Sequence, residues 1–240
     1  MKKRMRLPYV CTDSKGYSKT IAAILEEQAP EKRLLVINAD TSGGDCEREF
    51  IQSPDTVLNR HEYDVVIASP SMATGVSIER QGVIQKVYGI FTGVSATDAD
   101  MSQALGRVRE PVERVVWCAK VGSNRSKVSH STNLITFKDH LFQATSATVR
   151  LVRSGLKEDV AGEVDRYDWQ ADPHVNLYCR FATDHNFAML HLRDALLVRL
   201  KYEGNQVKVE TSDSNSALKL LLKNTRQELK LMDAECLVGA

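Results

Sequence analysis

The feature that most constrains this chain is a series of five short apolar runs in its first half, separated by polar or helix-like stretches. They are LPYVCT (7–12), RLLVINA (33–39), DVVIAS (64–69), KVYGIF (86–91) and RVVWCAKV (114–121). Runs with so few polar positions ask for burial on both faces, which a parallel sheet with helices on each side provides. SKTIAAILEEQ (18–28) sits between the first two runs with Ile21, Ile24 and Leu25 on one helical face, as a crossover requires. SATDADMSQALGRVRE reads as a loop leading into a helix between the fourth and fifth. The fold expected over residues 1–125 is therefore α/β: a parallel sheet with crossover helices.

The pattern changes after the polar, basic segment GSNRSKVSHSTN (122–133). No comparable strand run follows, so residues 126–240 are expected to form a mostly helical extension. DHNFAMLHLRDALLVRLKYEG (184–204) is expected as one helix. Asp184 would cap it, Phe187, Leu190, Ala195, Leu196 and Leu200 would share a side, and Gly204 would close it. A second helix is expected from about 214 to 233, capped by Ser214 or Asn215.

Composition decides what such a chain can bind. The formal net charge is +1, so attraction to nucleic acid must come from local patches. The five cysteines are scattered and include no CxxC pair, which argues against a disulfide framework or zinc ribbon and for a reduced, cytoplasmic setting. MKKRMR is basic but is followed by no signal-peptide core, and no apolar run reaches membrane-spanning length. The six histidines form no i, i+4 pair, and neither HExxH nor GxSxG is present, so no metal site and no such hydrolase centre is expected. Trp117 is expected in the core, as part of the fifth run. Trp169 is read as packing the extension onto the sheet domain, with stacking on a base as the other reading.

Two stretches carry candidate chemistry. In YDVVIASPSMATGVSIE (63–79) a core strand stops in small and hydroxylated residues, Ser69, Ser71, Thr74, Gly75 and Ser77. Ligands of doubly wound sheets gather beyond the carboxyl ends of strands, and bare amides and hydroxyls suit phosphate. In QALGRVR (103–109), Gln103, Gly106, Arg107 and Arg109 supply an amide, a close-approach glycine and two permanent cations. Arginine can fork onto a phosphate while staying charged. The plain alternatives are a flexible loop and a surface helix with paired arginines.

In this order and spacing the two stretches resemble motifs V and VI of superfamily 2 helicases. Motif V corresponds to Ser69 through Gly75 to Ser77, and motif VI, QxxGRxxR, to Gln103, Gly106 and Arg107; the exit CTDSKGYSKT of the first run stands in the place of motif IV. The family's last arginine falls at Glu110 here, and the second arginine comes one residue early, at Arg109. The phrases are most similar to the helicase portion of cyanobacterial-type plasmid replication proteins, and more distantly to herpesvirus origin-binding helicases. DPHVNLYCR (172–180) and LRDALLVRLKYEGNQV (192–207) extend the resemblance over most of 7–207.

The resemblance implies a RecA-like second helicase lobe. Arg107 or Arg109 would act as the arginine finger on ATP, beside Gly75, Ser77, Gln103 and Gly106. Ser14, Lys15, Ser69, Ser71 and Thr74 would touch the sugar-phosphate backbone of single-stranded or duplex DNA without reading bases. SKGYSKT (14–20) lacks the second glycine of a P-loop, and Asp98-Ala99-Asp100 follows no apolar strand. ATP phosphates and Mg2+ would then be held by a first RecA-like lobe, in a longer polypeptide or another chain. The other readings are a non-enzymatic DNA- or partner-binding module and, less favoured without GxGxxG, a small-molecule α/β enzyme.

Overall fold

The computed structural model describes residues 6–70, 75–153, 171–211, 213 and 215–238. Five strands, β1 (Leu7–Thr12), β2 (Leu34–Ile37), β3 (Val65–Ala68), β4 (Ile84–Phe91) and β5 (Arg114–Cys118), form one parallel sheet in the order β2-β3-β1-β4-β5. The expected α/β, RecA-like sheet is thus present. Cys11 pairs with Ala68 on one side and Gly89 on the other, so β1, β3 and β4 end close together. The chain leaves β1 toward β2 but leaves β4 toward β5, and a sheet wound in two directions opens a crevice at that carboxyl edge.

Side chains alternate between two cores, as pleating dictates. Tyr9, Cys11, Val66 and Ala68 enter the larger core, with Phe50, Val57, Met101 and Leu105. Val10, Val65 and Ile67 face the other side against Ala22, Ile21 and Leu25 of α1 (Lys15–Gln28). Two short helices, α2 (Asp45–Gln52) and α3 (Pro54–Asn59), follow β2, and α4 (Asp98–Gly106) precedes β5.

The expectation that the fifth run is buried on both faces, with Trp117 in the core, does not hold. β5 is an edge strand, and Trp117 is 52% exposed, flanked by exposed Val115 and Tyr88. The reason is positional: α1 seats on β1, β2 and β3, and of β4 only Ile90 reaches that cluster, so Tyr88, Val115 and Trp117 on the same side stay uncovered.

The extension is helical, with α5 (Leu134–Arg153), α6 (Pro173–Leu190), α7 (Leu192–Tyr202) and α8 (Ser216–Val238). The single helix expected over 184–204 is two helices. α6 starts eleven residues before Asp184, with Pro173 in its first turn and Asp172 accepting from the amides of His174 (2.7 Å) and Val175 (3.2 Å). His191 then leaves helical geometry at φ −118°, ψ 34°, which turns Leu192 into the sheet domain. Gly204 closes α7 at φ +87°, as expected, and Asn215 caps α8 through the amide of Leu218. Ser214 and Trp169 lie outside the described residues.

Extension and sheet domain share one core. Met189, Leu192 and Leu196 join its cluster, and Arg193 Nε donates to the Cys118 carbonyl at 2.8 Å. Gly93 (φ +76°) and Gly122 lie back to back: a Cβ on Gly93 would come within 2.7 Å of Gly122 Cα, and one on Gly122 would collide with Met189 Sδ. The polar segment 122–133 is pinned by buried Asn186, whose side chain accepts from Ser126 N and donates to the carbonyls of Ser129 and Ser131. Among the described residues no helix is long and apolar enough to cross a membrane.

Candidate functional site

The segment leaving β3 and the segment leaving α4 are held side by side. Ile78 N donates to Arg107 O (2.8 Å) and Arg109 N to Ile78 O (2.9 Å), a parallel bridge whose central residues, Ile78 and Val108, are fully buried. Backbone alternation then turns Ser77, Arg107 and Arg109 away from that core. Arg109 Nε donates to Ser77 Oγ at 2.9 Å. A cavity of about 380 Å³ is lined by Gly75, Ser77, Gln103, Gly106, Arg107 and Arg109, together with Ser102 and Glu203.

Local sequence explains each placement. Thr97 and Asp100 form a reciprocal capping box that fixes the start of α4. Met101 and Leu105 face the core, which puts Ala99, Gln103 and Gly106 along the cavity side. Gly75 has φ +99°, and a Cβ on it or on Gly106 would meet no protein atom within 4 Å. Both glycines therefore leave ligand-accessible room against bare backbone.

Position 110 explains the early arginine. Glu110 is buried, its Oε1 accepts from Gly82 N at 2.9 Å and stands 4.0 Å from Arg6 Nη1, and its Oε2 has no hydrogen-bond partner. The bridge turns residue 110 inward, so a cation there would be withdrawn from the cavity that Arg109 lines.

A second cavity, about 280 Å³, occupies the carboxyl-edge crevice and shares Gln103 and Arg107 with the first. Tyr9 and Cys11 form part of its wall. Burial pushes the Cys11 thiol up to about 12, opposed by the Arg107 charge. Burial, assisted by Cys11, drives the Tyr9 hydroxyl far above its ordinary range, again opposed by Arg107; that hydroxyl has no hydrogen-bond partner.

Sequence reasoning missed two carboxylates here. Asp13 is buried at the exit of β1 and accepts from Thr92 N (2.6 Å), Thr92 Oγ1 (2.9 Å), Gly93 N (2.7 Å) and Val94 N (3.0 Å), tying β1 to the turn after β4. Its signal was available, since an acid directly after a core strand is placed at the carboxyl edge. Glu203 comes from the end of α7, where its Oε2 accepts from Ser102 Oγ, and Arg199 Nε of α7 meets Asp98 Oδ2 at 2.5 Å. Nothing local marks Glu203, because only packing of α7 on α4 brings it there.

The residues expected to meet nucleic acid are dispersed. Ser69 lines the crevice cavity and is 5% exposed. Ser14 caps α1 by accepting from Tyr17 N (3.2 Å), and Lys15 pairs with Asp40 at 2.9 Å; neither lines either cavity. Hydrogen bonds from Lys19 and Lys15 hold the Asp40 carboxyl below its usual range. Ser71 and Thr74 lie outside the described residues.

Two guanidinium groups, an amide, hydroxyls and bare glycine backbone in one cavity are the donor set for a phosphate group, and so fit the phosphate end of ATP. Among the described residues no group of three or more His, Cys, Asp or Glu side chains is arranged to hold a metal ion.

No family model matches the chain. The chain is 28% identical over 224 residues to an uncharacterized protein of the cyanobacterium Picosynechococcus sp., a match covering 91% of this chain and 21% of that protein. It therefore spans about a fifth of the length of that relative. Fold and cavity together define an α/β protein with a RecA-like sheet and a cationic, glycine-floored cavity beside α4.

Proposed function

We propose that this chain is the second RecA-like lobe of a superfamily 2 ATP-dependent DNA helicase or translocase acting in plasmid-type replication. The observation that carries the reading is the pairing of the two motif-like stretches: the Ile78–Val108 bridge and the Ser77–Arg109 hydrogen bond gather Gly75, Ser77, Gln103, Gly106, Arg107 and Arg109 around one cavity.

In this reading the chain supplies one wall of an ATP site. Arg107 and Arg109 meet the charge on the transferred phosphoryl group, and the glycines let the phosphate approach the backbone. A first RecA-like lobe supplies the P-loop and the magnesium ligands. Closure of the two lobes is passed through the Ser77–Arg109 contact to the loop after β3, near Ser69, where the DNA backbone is gripped by hydroxyls and amides. In this reading Ser14, Lys15, Ser71 and Thr74 are further candidates for contact with the sugar-phosphate backbone. Binding of this kind tolerates sequence and weakens with salt.

ATP turnover, with and without single-stranded DNA, tests this on the chain alone and mixed with a polypeptide carrying the P-loop lobe. Turnover in the mixture alone is expected. Substituting Arg107 or Arg109 by Ala should lower it by about 10³-fold or more at unchanged melting temperature. Activity surviving both substitutions removes the motif VI assignment. Absent turnover with salt-sensitive DNA binding retained would favour the second reading, a non-enzymatic DNA- or partner-binding module.

A further inference from the structure

The cavity beside α4 holds a group that phosphate chemistry does not explain. Glu203 is an anion in a site built from two arginines, and it opposes phosphate unless it serves another part of the ligand. One carboxylate oxygen accepts from Ser102 Oγ. The other stands 4.0 Å from Arg199 Nη1, and the side chain is 39% exposed, so that oxygen can accept from a ligand. The donors that accompany phosphate in a small ligand are sugar hydroxyls, and a carboxylate is a suitable acceptor for them.

A second feature adjoins it. A groove of about 620 Å³, mostly apolar, is lined by Phe187, His191, Ala195, Val198 and Tyr202. The Phe187 and His191 rings meet at a 51° tilt with centroids 4.8 Å apart, and Tyr202 is 90% exposed. The groove meets the cationic cavity at two places: Asp98 lines one and Ala99 the other, and Tyr202 lines one and Glu203 the other. Along this surface the chemistry runs from paired arginines, to a carboxylate, to aromatic and aliphatic side chains. That is the order of phosphate, sugar and base in a nucleotide.

We propose that the helical extension completes a ribonucleotide site, with Glu203 accepting from the ribose hydroxyls and the Phe187–Val198–Tyr202 groove holding the base, while Arg107 and Arg109 hold the phosphates. The inference rests on the phosphate-binding reading of the cavity given above. It makes Glu203 a specificity residue: the interior sugars of DNA carry no free hydroxyl, so the carboxylate favours a free ribonucleotide over a strand.

The test is calorimetric titration of the full chain with ATP, 2′,3′-dideoxy-ATP and tripolyphosphate, repeated with an oligodeoxynucleotide. ATP should bind roughly tenfold tighter than the dideoxy analogue, the scale of one charge-assisted hydrogen bond. Glu203→Gln keeps an oxygen for Ser102 but presents an amide donor where the carboxylate accepts, so it should abolish that preference and leave tripolyphosphate unchanged or tighter. Tyr202→Ala, at an exposed position, should weaken ATP but not tripolyphosphate. Equal affinity for ATP and tripolyphosphate, or a Glu203→Gln variant that discriminates like the parent, overturns the inference while leaving the phosphate reading standing. Failure of tripolyphosphate and ATP alike overturns the inference, which needs this chain's own groups to hold the ligand, while the helicase-lobe reading stands or falls separately by turnover in the mixture. Oligodeoxynucleotide binding weakened by Tyr202→Ala but untouched by Glu203→Gln reassigns the groove to a DNA base and overturns the inference.

Discussion

In the sheet domain, the side chains of β1 and β3 alternate between two closed cores, so nearly every apolar residue of those strands is covered. The extension behaves otherwise: α6 and α7 bury Cys179, Met189, Leu192 and Leu196 but leave Leu177, Phe181, Phe187 and Val198 exposed. The buried members of α7, with Met189 at the end of α6, belong to the sheet domain's core. The sheet domain therefore carries most of the hydrophobic core, whereas α6 and α7 contribute a short docking seam to it, α6 packs in addition on α5, and the rest of their apolar surface faces outward.

The strongest way to break the comparison is to disable the sheet domain from within. Asp13→Ala leaves the amides of Thr92, Gly93 and Val94 without their acceptor, an expected loss of about 3–5 kcal/mol in urea unfolding. A loss below about 1 kcal/mol would mean that the carboxylate does not hold the β1 and β4 exits together. Leu192→Ala tests the seam; a fully buried leucine against Gly93 and Gly122 should cost about 2–4 kcal/mol. It should also raise protease susceptibility in α6 and α7 before the sheet domain, and equal loss across both regions would refute the separation.

Smaller changes sharpen the contrast. Phe181→Ser, on the exposed side of α6, should shift stability by no more than about 0.5 kcal/mol. A larger loss would reveal a hidden partner for that ring. The least effect concerns acid. Asp64 accepts from Arg33 Nε and Arg33 N, each at 3.0 Å, and these contacts hold its carboxyl below the usual range. Its contribution is present above the unfolded value near about 4 and fades as pH falls through the lower folded value. Because Arg33 is largely solvated, Asp64→Asn should remove only about 0.5 kcal/mol, measured as a flatter stability profile between about pH 5 and pH 2.

What could be read from the sequence follows from where the stabilising contacts lie. Central strands announce themselves because burial on both faces leaves Val65 to Ala68 no polar position. β5 carries a similar apolar run, yet the run does not record that Trp117 stands at an edge; only the seat of α1 decides that. α2 and α3 were not anticipated, since DCEREFIQ and PDTVLN are only eight and six residues long and bury only Phe50, Pro54, Val57 and Leu58. The break at His191 is unmarked by glycine or proline; the shared side expected for Phe187, Leu190 and Leu196 does not hold, since Phe187 and Leu190 are exposed and Leu196 is buried. Gly75, Ser77, Gln103, Gly106, Arg107 and Arg109 were legible as two short phrases, and the bridge that unites them spans about thirty residues. Glu203 was beyond reach, because it joins them only through the packing of α7 against α4.

The glycine contact between residues 93 and 122 has a mechanical side. It leaves Leu192 no room to slide, while at the other end α7 is fastened to α4 through Glu203 and Ser102. With about 1.5 Å of rise per residue, the two ends stand about 16 Å apart. The helix is thus clamped at both ends and, through Arg199 and Asp98, between them; a shift of about 1 Å at Glu203 would correspond to a turn of about 4° about Leu192, given that rise.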